Sequence, residues 1–210
     1  PKSIFQISHF LPLSKKFLFY HNDPLSFGEY STINSRKELI DICDKICFVS
    51  EYLKERFLKE LPKFHNNNSK LQVIYNGIEP RIFNSRPSKK QNIVFIGELS
   101  QNKGFNFFLE AVEDFCSEFE GWTADIYGKS KTFDLSFIKN PKIQYHGFLP
   151  NDELIKELEK SSICVVPSVW NEPFGRVLLE SINAGAATIT SVNGGLKEIA
   201  NHFKVIKIEN

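Results

Sequence analysis

Short runs rich in β-branched and aromatic residues alternate with helical patterns along this chain. That alternation limits the folds open to it more than any other feature. The runs fall at 15–21, 45–50, 71–76, 92–97, 122–128, 142–147, 162–168, 186–191 and 203–208. Between them, residues 32–44, 50–61, 103–119, 151–161 and 174–185 carry apolar side chains at helical spacing. Strands that alternate with helices build βαβ units, and hence a parallel sheet covered on both faces. The expected fold class is therefore α/β. Residues 76–92 break the rhythm with two prolines, a glycine, several charges and no period, and read as an interdomain linker. A doubly wound unit commonly has about six strands. Three runs precede the linker and six follow it, so the first unit is expected to lack its opening strands while the second is nearly whole.

Charge and composition exclude several classes. Formal net charge is +1 over 210 residues, which argues against a nucleic-acid protein held by a broad basic face. No apolar run reaches the roughly 18 residues needed to span a bilayer. The four cysteines, Cys43, Cys47, Cys116 and Cys164, form no Cys-x-x-Cys pair and read as reduced and buried, as in a cytoplasmic protein. Asn67-Asn68-Ser69 fits a glycosylation acceptor but reads as a polar loop. The chain contains no methionine and opens on Pro1-Lys2-Ser3, as expected of a piece of a longer protein.

Two stretches carry chemistry. Ahead of residues 171–191 an apolar strand ends at Pro167 and Ser168; the chain then turns through Asn171, Glu172 and Pro173, and a helix is expected from near Phe174 to Gly185. At its start the amides of Phe174, Gly175 and Arg176 are expected to lack intrahelical partners and to suit a phosphate, with Gly175 allowing close approach. Glu172 and Glu180 flank that cradle. They could accept hydrogen bonds from two polyols, a sugar and a ribose; equally, Glu172 could complement the helix dipole and Glu180 be a solvated surface acid. In residues 93–112 a buried strand ends at Gly97, and Lys103-Gly104 opens an amphipathic helix, which places an ammonium where an anion would bind. Phe105, Phe107 and Phe108 read as core. The loop from Gly97 to Gly104 lacks the Gly-Lys-Ser/Thr order of a Walker loop, and 127–131, which has Gly-Lys-Ser, has Thr123 where the earlier glycine should fall.

The string Glu172-Pro173-Phe174-Gly175-Arg176-Val177-Leu178-Leu179-Glu180, with Ala184-Gly185 after it, resembles the Glu-x7-Glu signature of retaining glycosyltransferases of family 4. Residues 19–26, 49–57, 73–83, 93–104, 145–154 and 193–200 resemble other landmarks of that family, in the same order. The resemblance implies two Rossmann-like lobes (the GT-B architecture). Residues 1–83 would be a partial N-terminal, acceptor-side lobe, and 84–210 the C-terminal lobe that binds a nucleotide-diphosphate sugar. It implies that Glu172 touches donor-sugar hydroxyls and that Phe174 and Gly175 meet the sugar or diphosphate. Glu180 would hold the ribose and Lys103 the diphosphate, beside Gly97 and Arg176. Phe148 and Leu149 would border the base. His21 would reach over from the N-terminal lobe.

Two positions depart from the family pattern. Glu98 stands where an arginine usually follows the strand-end glycine, and a like charge there would repel phosphate unless it points away or Arg176 or Lys129 compensates. Gly128-Lys129-Ser130 replaces a Gly-x-Gly-Pro, which puts base contacts there in question.

The resemblance implies transfer of a hexose-type sugar, with retention, from a nucleotide-diphosphate donor to a glycan, lipid-linked or small-molecule acceptor in cell-surface polysaccharide synthesis. It implies no protein-held metal or other cofactor, and a cytoplasmic location with contact at the inner face of the membrane. Two alternatives stay open: a nucleotide-sugar epimerase of the same architecture, and a non-catalytic remnant that binds nucleotide. With an incomplete first lobe, this piece alone is expected to turn over poorly.

Overall fold

The computed structural model describes residues 1–11, 13–62, 68–80, 88–130, 133–136 and 138–208. The chain divides into two compact units, Pro1–Gly77 and Ile78–Asn210. The boundary expected at 83/84 and the asparagine at 67 lie outside the described residues.

The first unit opens with helix α1 (Lys2–Phe10), then β1 (Phe17–Tyr20), α2 (Ile33–Ile42), β2 (Lys45–Phe48), α3 (Glu51–Leu58) and β3 (Leu71–Val73). The strands pair in parallel in the order β1-β2-β3. Thr32 and Ser50 start the two later helices by accepting from Ser35 N and Leu53 N, each at 3.1 Å, and so satisfy amides that have no partner within the helix. Arg36, 2% exposed, reaches from α2 to the end of α3, where its guanidinium donates to the carbonyls of Phe57 and, at 2.8 Å, Lys59. Those terminal carbonyls need donors, and they meet a buried cation that needs acceptors.

The second unit runs β4 (Lys90–Ile96), α4 (Phe105–Glu118), β5 (Thr123–Tyr127), β6 (Ile143–Gly147), α5 (Asn151–Lys160), β7 (Ser161–Val166), α6 (Arg176–Asn183), β8 (Ala187–Ser191), α7 (Leu196–His202) and β9 (Ile206–Ile208). Every described pairing is parallel, in the order β6-β5-β4-β7-β8-β9. The chain winds outward from β4 through β5 to β6. It then returns through α5 to place β7 against β4, with Ile93 opposite both Ala124 and Ile163. This is the doubly wound order, and the carboxyl ends of β4 and β7 form its switch point, where the connections leave in opposite directions.

The core under α4 follows from sequence spacing. Phe105, Phe108, Leu109, Val112 and Cys116 repeat at helical intervals and pack on Ile93, Phe95, Ala124 and Ile126. Phe107 falls off that stripe and is 55% exposed, contrary to its reading as core. All four cysteines are free and buried. Burial pushes the Cys43 thiol up to about 11, which keeps it protonated and unreactive.

All nine expected strands are present, several shorter than their apolar runs. Helices α1 and α7 were not expected: α1 buries no residue, and α7 is a short helix behind two glycines. Helix α6 starts at Arg176, not Phe174, because Gly175 takes φ +103°, outside helical geometry. Lys103 precedes α4 in a 3-10 turn, Gln101–Lys103, and Gly104 at φ +68° separates the two.

Candidate functional site

Two loops leave the switch point, 97–104 after β4 and 167–175 after β7, and they are bolted together. The carbonyl of Asn102 accepts from Val169 N at 2.9 Å and Trp170 N at 3.2 Å. Gly104 lies so close to Pro167 that a Cβ on it would sit 2.0 Å from the proline carbonyl oxygen. Only glycine combines that approach with a left-handed φ. The result brings Lys103 beside Glu172: Lys103 Nζ donates to Glu172 Oε1 at 2.5 Å and lies 5.4 Å from the ring centroid of Trp170.

Glu172 is 8% exposed, so its charge must be matched. Ser168 Oγ donates to the same Oε1 at 2.6 Å. Ser168 is held in turn through its carbonyl, which accepts from Ser191 Oγ at 2.7 Å and Asn193 Nδ2 at 2.9 Å. The loop after β8 also fixes the backbone, with Gly195 N donating to Glu172 O at 2.7 Å. A Cβ on Gly194 would stand 2.5 Å from that same oxygen. The acid is thus fixed at backbone and carboxylate by three loops.

Glu180 lies one helical turn beyond Arg176 on α6, 6% exposed, and accepts from Arg176 Nη2 at 3.0 Å. Its reading as a solvated surface acid is wrong, since it points into the protein. Burial raises its carboxyl above the ordinary range, and Arg176 partly offsets this. Arg176 pairs with Glu180, and Lys129 is the cation that shares the pocket with Glu98. Gly175 has a packing reason to be glycine: a Cβ there would meet Leu196 Cδ2 at 2.4 Å. The Phe174 side chain is buried, 4% exposed.

A pocket of about 320 Å³ opens at the carboxyl ends of β4, β5 and β6. Gly97, Gly128, Phe148 and Leu149 line it, with Glu98 and Lys129 as its charged groups. Lys129 Nζ stands 4.8 Å from the Phe148 ring centroid. Glu98 is exposed. Its charge therefore faces the pocket beside a lysine, not a closed phosphate cradle.

Of the residues singled out from sequence, Lys103 and Glu172 are in direct contact, and Gly175, Arg176 and Glu180 follow on the same segment. Gly97, Phe148 and Leu149 share the pocket. His21 stands just past β1 in the other unit, exposed, its ring 6.5 Å from Phe19. Sequence reasoning missed Ser168, Trp170 and Asn193. A tryptophan two residues before Glu172, one of only two in the chain, was the available signal for the second. Among the described residues, no three His, Cys, Asp or Glu side chains converge as a metal site, and no helix is long and apolar enough to cross a membrane.

A doubly wound parallel sheet with an acid and an ammonium paired at its switch point has side chains gathered where open α/β sheets place their ligands. The family described as Glycosyl transferases group 1 matches residues 79–210, and the chain belongs to it. An uncharacterized glycosyltransferase of Methanocaldococcus jannaschii is 28% identical, over 75% of this chain and 45% of its own length. An uncharacterized 42.6 kDa protein in a cps region of Klebsiella pneumoniae is 27% identical, over 79% of this chain and 43% of its own. The chain spans about half the length of the curated relatives it matches. The crystal structure of Anabaena HepE in complex with UDP superposes with a TM-score of 0.78 at 17% identity, covering 99% of this chain and 62% of that one. At that identity the likeness establishes the shared α/β fold with parallel sheets.

Proposed function

We propose that this chain is part of a retaining glycosyltransferase of family 4. It transfers a hexose-type sugar from a nucleotide-diphosphate donor to a glycan, lipid-linked or small-molecule acceptor, in cell-surface polysaccharide synthesis. The observation that carries the reading is the Lys103–Glu172 contact at the switch point, beside the pocket at the ends of β4 to β6. Nucleotides bind at the carboxyl edge of such sheets. HepE has been crystallised with UDP and with UDP-glucose, and the cps-region relative supports the pathway.

In this reading the base enters the pocket between Gly97 and Phe148–Leu149, and Glu180 receives the ribose hydroxyls. The diphosphate meets Lys103 and the amides near Phe174 and Gly175, with Arg176 at the rim, while Glu172 accepts from sugar hydroxyls. Transfer breaks the bond between the anomeric carbon and the phosphate oxygen. The electron pair stays on the diphosphate, the acceptor hydroxyl oxygen bonds to the carbon on the face the diphosphate leaves, and the hydroxyl's proton passes to the leaving phosphate oxygen. Negative charge grows on the leaving oxygen, where a fixed ammonium lowers the barrier. Glu172, with one oxygen held by Lys103 and Ser168, is read as a hydroxyl ligand and not as the nucleophile. His21, from the acceptor-side unit, works at the acceptor face. No protein-held metal or other cofactor takes part, and the enzyme works in the cytoplasm, against the inner face of the membrane.

Isotope-labelled sugar nucleotides, supplied with and without acceptor to the protein that carries this chain, at its natural full length, test the reading. Label in a glycoside only when acceptor is present is the expected result. Isomerised donor without acceptor would identify an epimerase instead. No turnover and no binding of UDP, GDP or ADP would leave only a remnant.

A further inference from the structure

The reading just proposed, on which this inference rests, gives Lys103 and Glu172 separate duties that the geometry joins. Lys103 Nζ lies 2.5 Å from Glu172 Oε1. A diphosphate that takes the ammonium must compete with that carboxylate. The two groups differ in freedom. Glu172 is 8% exposed, gripped by Ser168 through Oε1 and by Gly195 through its backbone carbonyl. The Lys103 side chain is 31% exposed, on a flexible stem beside the Trp170 ring. The lysine can swing, whereas the acid is held in place.

When Lys103 turns to a diphosphate, a nearly buried carboxylate loses its counter-charge, which is costly. A sugar hydroxyl that donates to Glu172 offsets the loss. A nucleoside diphosphate without sugar offers no such donor. We propose that Glu172, acting through Lys103, discriminates between the sugar-loaded nucleotide and the spent one. It makes the nucleoside diphosphate bind less tightly than the pocket otherwise would. After transfer it reclaims the ammonium and hastens release of the product. The acid thus has a second duty beyond holding the sugar.

The test is calorimetric titration of the 210-residue chain and its variants with UDP and UDP-glucose, with the GDP and ADP pairs in parallel. Glu172→Gln removes the competing charge and keeps an oxygen for Ser168. It is expected to tighten nucleoside-diphosphate binding about three- to tenfold while leaving the sugar nucleotide unchanged or weaker. In a Lys103→Met background the same substitution is expected to change nucleoside-diphosphate affinity by less than about twofold, because the effect runs through the lysine. Glu172→Asp, which lengthens the pair by one methylene, gives a smaller gain in the same direction and serves if the glutamine variant does not fold.

Unchanged or weaker nucleoside-diphosphate binding in Glu172→Gln overturns the proposal. So does an equal gain in the Lys103→Met background, which would mean general charge repulsion. If binding depends on Lys103 but not on Glu172, the discriminator falls and the donor site stands. If none of the nucleotides binds the unaltered chain, both fall together.

Discussion

Glu180 shows how one residue can carry a cost that the fold alone does not require. Helix α6 could bury an apolar side chain at this position, yet it buries a carboxylate whose cation, Arg176, is itself 63% exposed at its side chain. Burial holds the carboxyl above the ordinary range, so the folded protein binds a proton there more readily than the unfolded chain. Stability from this group is therefore greatest below the unfolded carboxyl range and falls as pH rises through the raised folded value. Glu180→Gln removes that dependence. It is expected to melt a few degrees higher than the unaltered chain at pH 7, with the gain shrinking toward pH 4, as followed by circular dichroism. A variant that melts lower at pH 7, with the deficit shrinking toward pH 4, would mean that the Arg176 pair outweighs burial. A charge retained at such a cost is more readily explained by a ligand than by the core.

At the scale of elements, the site consists of two loops held at one distance by backbone contacts. Gly104 is the tightest of these. Gly104→Ala puts a methyl against the Pro167 carbonyl at a left-handed φ, and is expected to cost about 1–3 kcal/mol in denaturant unfolding and to weaken nucleoside-diphosphate binding with it. A loss below about 0.5 kcal/mol would mean that the loops are not locked there. The sequence made the strands legible because each is an apolar run between polar turns. The helices whose stripe is long, such as α4, were legible for the same reason. Helix α7 was not, since its seven residues are too few for a period. Gly175 was read as a place for a ligand to approach, and the structure adds a packing reason that spacing could not show, its neighbour Leu196. The contact between Lys103 and Glu172, 69 residues apart, was invisible to local pattern. It depends on the crossover that sets β7 beside β4, and spacing along a chain does not encode which strands become neighbours. Ser168 was likewise seen only as the end of a strand, because its partners Ser191 and Asn193 arrive from the next βα connection.

At the scale of the whole molecule, two units of parallel sheet divide the chain, and the second carries the acid, the ammonium and the pocket on one edge of one sheet. Membership of the Glycosyl transferases group 1 family rests on that second unit. Donor binding should accordingly depend on groups there, and above all on Lys103. The most direct measurement is the affinity of Lys103→Ala for the nucleoside diphosphate that the unaltered chain binds tightest, set against its affinity for the matching free nucleoside. A charge-assisted contact to phosphate predicts about a tenfold or greater loss for the diphosphate and less than about a twofold loss for the nucleoside. Equal losses for both ligands would contradict the account, because the lysine would then be shaping the pocket without meeting the phosphates.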